Sequence, residues 1–127
     1  MAEILIVDDE PQMRRLLVRV LNGAGHNVHE AENGQDGIRL FRRIRPVLVI
    51  TDIVMPDMEG IEMIRELRQE APALPILAIS GGGPPLYLRA ATDLGATAAL
   101  AKPFDTTELL AIVGRLIETS RGLRFPA

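Results

Sequence analysis

The 127-residue sequence predicts one α/β domain built on a doubly wound, five-stranded parallel sheet with five helices. Short apolar runs alternate with segments whose apolar residues recur at helical spacing, which is typical of βα units. The first, third and fourth runs are almost continuously apolar, as in strands that helices cover on both faces. Right-handed crossovers then favour a doubly wound topology. The five runs lie at 4–7, 27–31, 47–51, 76–79 and 98–101.

Breaking residues separate the elements in the first half of the chain. Apolar spacing predicts a first helix over 12–22, and Gly23 ends it. Asn33-Gly34 indicates a turn between the second strand and a helix over 37–44. Pro46 ends that helix, because the residue before a proline disfavours the helical conformation.

The second half repeats this pattern three times. Apolar stripes predict a third helix over 60–67 and a weaker fourth helix over 87–94. Asp105 and Glu108 have the spacing of an N-terminal cap before the fifth helix, whose apolar stripe runs from Leu109 to Ile117. We therefore expect one domain over 1–120, with 121–127 as a C-terminal tail or truncated linker.

Composition excludes several classes of protein. The net charge of −3 and the pI of about 5.4 argue against a basic nucleic-acid-binding face. The chain lacks cysteine, so a disulfide framework and a thiolate metal site are excluded. The first residues do not resemble a signal peptide, and no apolar run approaches the roughly 18 residues of a membrane span. These observations predict a cytoplasmic protein that does not bind membranes.

Polar side chains stand at the ends of four of the apolar runs. Asp8 and Asp9 follow the first, Asp52 the third, Ser80 the fourth and Lys102 the fifth. If the runs are parallel strands of one sheet, these side chains meet at its carboxyl edge. Carboxylates at close range repel one another, and a divalent cation relieves the repulsion. Mg²⁺ suits two or three carboxylates, and Mn²⁺ is an acceptable substitute.

This set of residues has the chemistry of phosphoryl transfer. A carboxylate beside Mg²⁺ can attack phosphorus, while the ammonium of Lys102 neutralises phosphoryl charge and the hydroxyl of Ser80 donates a hydrogen bond. The product is an acyl phosphate, which water can hydrolyse. Histidine is absent from the set, so the phosphoryl donor comes from outside.

The chain resembles the receiver domain of two-component response regulators from Ile4 to about Glu118. The resemblance implies the flavodoxin-like strand order 2-1-3-4-5. The matching segments are ILIVDDE (4–10), VITDIVMPDMEG (49–60), PILAIS (75–80), DLGA (93–96) and AKPF (101–104).

The resemblance also implies a role for each site residue. Asp52 is the phosphoacceptor. Asp9 and Asp52 bind Mg²⁺ directly, Asp8 binds it through water, and the backbone carbonyl of Val54 completes the protein ligands. Ser80 donates to a phosphoryl oxygen. Lys102 pairs with another oxygen, and its peptide bond to Pro103 is cis.

The resemblance implies partners as well. The donor is a sensor histidine kinase or a histidine phosphotransfer protein, and the recipient of the signal is a downstream protein or a missing output domain. The domain acts as a monomer or as a phosphorylation-dependent dimer. It is not an enzyme beyond catalysing its own phosphoryl transfer and the hydrolysis of its acyl phosphate.

Two features depart from the family pattern. Receivers usually carry Tyr or Phe three residues before the lysine, and Ala99 occupies that position. The glycine- and proline-rich segment 81–85 is either a signal-carrying loop or a plain connector. The alternative function is therefore a phosphorylation-independent receiver-like adaptor.

Two other classes fit the sequence less well. An aspartate-nucleophile phosphatase needs a second Asp two residues after the nucleophile, where this chain has Val54. A flavodoxin-like cofactor binder needs a phosphate-holding loop after the first strand, where Asp8, Asp9 and Glu10 would repel the phosphate. Three arginines of the first helix (Arg14, Arg15 and Arg19) either face a kinase or form a solvated basic face.

Overall fold

The computed structural model describes residues 2–53, 59–80 and 86–124. Strands and helices alternate along these residues. The strands are β1 (Glu3–Val7), β2 (Asn27–Ala31), β3 (Leu48–Asp52), β4 (Ile76–Ser80) and β5 (Ala98–Ala101). The helices are α1 (Pro11–Gly23), α2 (Gly34–Ile44), α3 (Glu59–Glu70), α4 (Leu86–Leu94) and α5 (Thr106–Arg124).

The five strands form one parallel sheet in the order β2-β1-β3-β4-β5. This confirms both the predicted fold class and the predicted strand order. Val7 pairs with Thr51, and Asp52 pairs with Ile79. The winding direction reverses between β1 and β3, and residues that follow these two strands therefore lie beside the crevice where such folds bind ligands.

A hydrophobic layer covers each face of the sheet. Successive side chains of a strand point to opposite faces. Ile4 and Ile6 accordingly pack with residues of α1 and α5, whereas Leu5 and Val7 pack with residues of α2 and α3. Every residue of β3 and of β4 is buried. Burial on both faces explains why these strands are continuously apolar up to their polar ends.

Side chains cap two helices at predicted boundaries. Asn33 Oδ1 accepts a hydrogen bond of 2.8 Å from the amide of Asp36, so Asn33 is the N-cap of α2 and the helix starts three residues before the predicted Gly37. Asp105 Oδ1 accepts a hydrogen bond of 2.7 Å from the amide of Glu108. This second contact confirms the predicted cap of α5.

The last helix is longer than its apolar spacing indicates. It continues to Arg124, so the first four residues of the predicted tail are helical. The division of the chain into a domain over 1–120 and a tail over 121–127 stays a prediction. Across the described parts of the chain, the helices are too short or too polar to cross a membrane.

Candidate functional site

Three carboxylates meet at the carboxyl edge of the sheet. Asp8 follows β1 and is buried, Asp52 ends β3 and is also buried, and Asp9 is exposed beside them. One oxygen from each of these residues lies within 4.8 Å of the others. The structure therefore brings together the three acidic residues that the sequence predicts as a cation site.

The backbone around Asp8 holds its carboxylate in place. Its Oδ1 accepts a hydrogen bond of 2.8 Å from the amide of Glu10, and its own amide donates to the carbonyl of Ala31 at 3.1 Å. Pro11 then begins α1. Its lack of an N–H costs no hydrogen bond there, because the first amides of a helix have no partner within the helix. The buried acid thus sits in a tight strand-to-helix turn.

The electrostatics of the cluster favour neutralisation of its charge. The pKa of Asp8 rises from its ordinary 3.8 to about 6, chiefly because burial disfavours the charged form. The carboxylates of Asp52 and Asp9 raise this pKa further. The hydrogen bond from Glu10 and the ammonium of Lys102 oppose the rise. A cation among the three acids would relieve the same repulsion.

Lys102 and Ser80 complete the edge. The Lys102 Nζ lies 3.5 Å from Asp52 Oδ2, and both side chains are largely buried. Ser80 ends β4, one strand away from Asp52, and is also buried. The amide of Lys102 donates to the carbonyl of Ser80 at 2.8 Å. The bond from Lys102 to Pro103 is cis, which confirms what the resemblance implied.

Two predicted features lie outside the described residues. Val54, whose carbonyl is a predicted metal ligand, belongs to the segment 54–58, and the glycine- and proline-rich segment is 81–85. The contribution of Val54 and the role of that segment therefore stay predictions.

A glycine brings α3 close to the strand that carries Asp52. A Cβ added at Gly60 would collide with the carbonyl oxygen of Asp52 and would lie 3.0 Å from that of Ile53. A side chain at this position would push the helix away from the end of β3. The glycine of the segment 49–60 is therefore a packing requirement of the site.

Ala99 lies half-buried on β5. With Ile112 and Arg115 of α5 it lines a cavity of about 310 Å³. The position at which most receivers carry an aromatic ring is thus occupied by a methyl group at the border of an open cavity.

Arg14 differs from Arg15 and Arg19, although the three look alike in the sequence. Arg15 and Arg19 are exposed. The Arg14 side chain is only 15% exposed and contacts the turn after β1. One signal was available, because side chains in the first turn of a helix point back toward the preceding loop. In this chain that loop contains Asp8 and Asp9.

Comparisons with known proteins agree with the fold. The family model described as "Response regulator receiver domain" matches residues 4–114. The KDP operon transcriptional regulatory protein KdpE of Escherichia coli (strain K12) is 42% identical over 111 residues, covering 87% of this chain and 49% of KdpE. The transcriptional regulatory protein GlrR of the same organism is 33% identical over 119 residues, covering 94% of this chain and 27% of GlrR.

Solved structures give the same result. The receiver domain of NtrX from Brucella abortus superimposes with a TM-score of 0.87 at 30% identity, covering 91% of this chain and 98% of that domain. A receiver domain protein from Clostridium thermocellum gives 0.91 at 27% identity, with 97% and 99% covered. The chain belongs to the response regulator receiver domain family of two-component systems. It spans about half the length of KdpE and about a quarter of GlrR.

Proposed function

We propose that this chain accepts a phosphoryl group on Asp52 from a phosphohistidine of a sensor histidine kinase or of a histidine phosphotransfer protein. One observation carries the proposal. The buried Asp52 carboxylate lies within 4.8 Å of oxygens of two other acids and 3.5 Å from an ammonium. This combination of nucleophile and positive charge suits attack on a phosphoryl group.

The acidic cluster fits Mg²⁺, and Mn²⁺ would substitute for it. Asp8, Asp9 and Asp52 supply hard oxygen ligands. The raised pKa of Asp8 indicates that its negative charge is unfavourable in the empty site, and a bound cation would stabilise that charge. When bound, the ion would neutralise charge on the phosphoryl oxygens. The backbone carbonyl of Val54 is proposed as a further ligand.

The protein residues would then carry the transfer. An Asp52 carboxylate oxygen forms a bond to phosphorus, the bond from phosphorus to the donor imidazole nitrogen breaks, and that nitrogen keeps the electron pair. Lys102 pairs with one phosphoryl oxygen, and the Ser80 hydroxyl donates a hydrogen bond to another. The chain catalyses only this transfer and the later hydrolysis of its acyl phosphate.

Phosphorylation would change the conformation of the domain and regulate a downstream protein or an output domain. KdpE and GlrR are transcriptional regulatory proteins longer than this chain, which supports an output domain as one recipient. The net charge of −3 supports a role for this domain that does not include nucleic-acid binding. We propose that it acts in the cytoplasm, as a monomer or a phosphorylation-dependent dimer.

Ala99 favours a second candidate, a receiver-like adaptor that acts without phosphorylation. An aromatic ring at this position usually links the phosphorylated site to the surface that partners read. The methyl group of Ala99 cannot form that link. The two candidates differ in whether Asp52 takes a phosphoryl group.

Intact mass after incubation with acetyl phosphate separates the two functions. We expect one phosphoryl adduct on the wild type that depends on Mg²⁺ and is absent from Asp52→Ala. Asp93→Ala, which removes an exposed carboxyl group from α4, is the matched control and should keep the adduct. A folded wild type that gains no adduct and does not bind beryllium fluoride would favour the adaptor.

A further inference from the structure

Arg14 joins three elements at the carboxyl edge of the sheet. It lies in the first turn of α1, where its amide donates to the carbonyl of Glu10 at 3.1 Å. Its Nη1 donates to the backbone carbonyl of Asp8 at 2.6 Å, and its Nε donates to Glu30 Oε1 of β2 at 3.2 Å. The guanidinium therefore connects the end of β1, the end of β2 and the start of α1.

The sheet register explains why these groups meet. Glu30 pairs with Ile6, and Ala31 pairs with Val7, so the end of β2 lies level with the last residues of β1. Ile6 packs into the hydrophobic layer formed with α1 and α5. A side chain in the first turn of α1 is directed back toward the helix N-terminus, and it therefore reaches the ends of β1 and β2.

The contact of Arg14 is with the peptide group between two predicted cation ligands. The Asp8 carbonyl belongs to the peptide bond that leads into Asp9. Fixing this carbonyl fixes the orientation of the planar peptide, and hence the directions in which the two carboxylates leave the chain. A charged donor at 2.6 Å is among the stronger hydrogen bonds that a backbone carbonyl receives.

We propose that Arg14 is a positioning residue that holds the Asp8–Asp9 turn in the geometry needed to bind a divalent cation. The proposal rests on the proposed function of the acidic cluster and adds a residue that does not touch the ion. Arg14 acts through the backbone of Asp8, and its ion pair with Glu30 keeps the guanidinium in place.

Charge alone predicts the opposite effect. A guanidinium near three carboxylates repels Mg²⁺, so removal of its charge should strengthen cation binding if Arg14 acts only through the field that it creates. If Arg14 acts by positioning, its removal should weaken cation binding. The direction of the change therefore separates the two roles.

Isothermal titration with Mg²⁺ on the folded chain tests the proposal, with Arg14→Met compared with wild type. Groups that orient metal ligands without touching the metal typically change affinity by 10–100-fold, so we expect the Mg²⁺ Kd to rise about tenfold. At saturating Mg²⁺, the rate of phosphorylation by acetyl phosphate should return to within about twofold of wild type, because the defect lies in cation binding.

Arg15→Met is the matched control. Arg15 is the next residue on the same helix, carries the same charge and is exposed, and within the described residues its side chain makes no hydrogen bond or ion pair. We expect its Mg²⁺ Kd to be equal to or slightly below that of wild type. Circular dichroism and thermal unfolding without Mg²⁺ establish that each variant is folded.

The two Mg²⁺ affinities decide whether Arg14 has a positioning role. Equal Mg²⁺ affinities for Arg14→Met and Arg15→Met, or stronger binding by Arg14→Met, would overturn the positioning role and leave the proposed function intact. A wild type that does not bind Mg²⁺ would overturn both. If Arg14→Met does not fold, Arg14→Lys replaces it, with an expected loss of about threefold because one ammonium cannot reproduce the two-pronged contact.

Discussion

Charged side chains are arranged in opposite ways at the two edges of the sheet. At the carboxyl edge, Asp8, Asp9 and Asp52 place like charges within 4.8 Å of one another, and two of the three acids are buried. At the amino edge, Arg68 places a single cation among backbone carbonyls. The first arrangement destabilises the unliganded fold, whereas the second stabilises it.

The contacts of Arg68 show how complete the second arrangement is. Its Nη2 and Nε donate to the carbonyl of Gly95 at 2.6 and 3.0 Å, and its Nη1 donates to the carbonyls of Pro72 at 2.9 Å and of Ala71 at 3.1 Å. Gly95 has a φ of +129°, and a Cβ there would lie 3.2 Å from the Arg68 side chain. Burial lowers the pKa of this guanidinium. These hydrogen bonds of Arg68 join the end of α3 to the turn before β5.

The two edges of the sheet have different tasks. Groups whose hydrogen bonds are met within the chain add stability and have little left to offer a ligand. Groups that repel one another lower the stability of the empty site, and a ligand of opposite charge stabilises them when it binds. Substitutions at the two edges should therefore change stability with opposite sign.

The largest expected effect is at the amino edge. Arg68→Met keeps most of the apolar stem and leaves the carbonyls of Gly95, Ala71 and Pro72 without their charged donor, so the free energy of unfolding should fall by about 3 kcal/mol. Urea denaturation measures the change. Arg65→Met on the exposed side of α3 is the control, with an expected change below about 0.5 kcal/mol. A loss equal to that of the control, or slower phosphorylation by the folded variant, would contradict the division between the edges.

Asp8→Asn should change the free energy of unfolding in the opposite direction. Asn keeps the oxygen that accepts from Glu10 and removes the buried charge, so the Mg²⁺-free protein at pH 7 should gain about 2 kcal/mol of stability. The same variant should bind Mg²⁺ at least about tenfold more weakly. Asp93→Asn, at an exposed position, should change neither quantity. A destabilised Asp8→Asn would show that the buried charge of Asp8 does not destabilise the unliganded fold.

The pH dependence of stability gives the smallest effect and the clearest sign. The folded-state pKa of Asp8, about 6, lies above its ordinary 3.8, so the folded protein holds this proton more tightly than the unfolded chain. Stability should therefore increase as the pH falls through 6, by about 1 kcal/mol between pH 7 and pH 5. Hydrogen bonds from Asn27 and Arg42 lower the pKa values of the exposed Glu3 and Glu70, which is the opposite direction to the shift of Asp8.

The difference between wild type and Asp8→Asn isolates this contribution. Urea denaturation without Mg²⁺ at pH 7 and pH 5 should give a gain for the wild type and a flat profile for the variant. Saturating Mg²⁺ should abolish the gain, because the bound cation keeps the carboxyl group ionised. Equal slopes for the two proteins would place the titration elsewhere.

Local patterns were enough to predict most of the fold and the polar residues that meet at the carboxyl edge of the sheet. Continuous apolar runs predicted β3 and β4, and helical spacing predicted α1 and α3 to within a few residues at each end. Helix ends were less predictable. Asn33 was interpreted as a turn residue and is a cap, and α5 runs further than its apolar stripe suggests. A cap depends on one side-chain hydrogen bond, which periodicity does not encode.

Contacts between distant residues could not be predicted in this way. His29 pairs with Glu3 at 2.7 Å across neighbouring strands, although the two residues are 26 positions apart in the chain. Arg68 contacts Gly95, and Arg14 contacts Glu30. A lone arginine on a helix looks the same in sequence whether it is solvated or clamped, because its partner is set by strand register and helix packing.

The sequence by itself determined the kind of sheet and the polar residues at its carboxyl edge. Both follow from local rules, since buried parallel strands must be apolar and side chains that follow them must emerge at one edge. Only the tertiary structure decided that Asp8 is buried with a raised pKa, that Gly60 abuts the carbonyl of Asp52 and that Arg14 is separate from Arg15. Burial, close approach and hydrogen bonding are properties of groups far apart in the chain, and they exist only once the helices have packed onto the sheet.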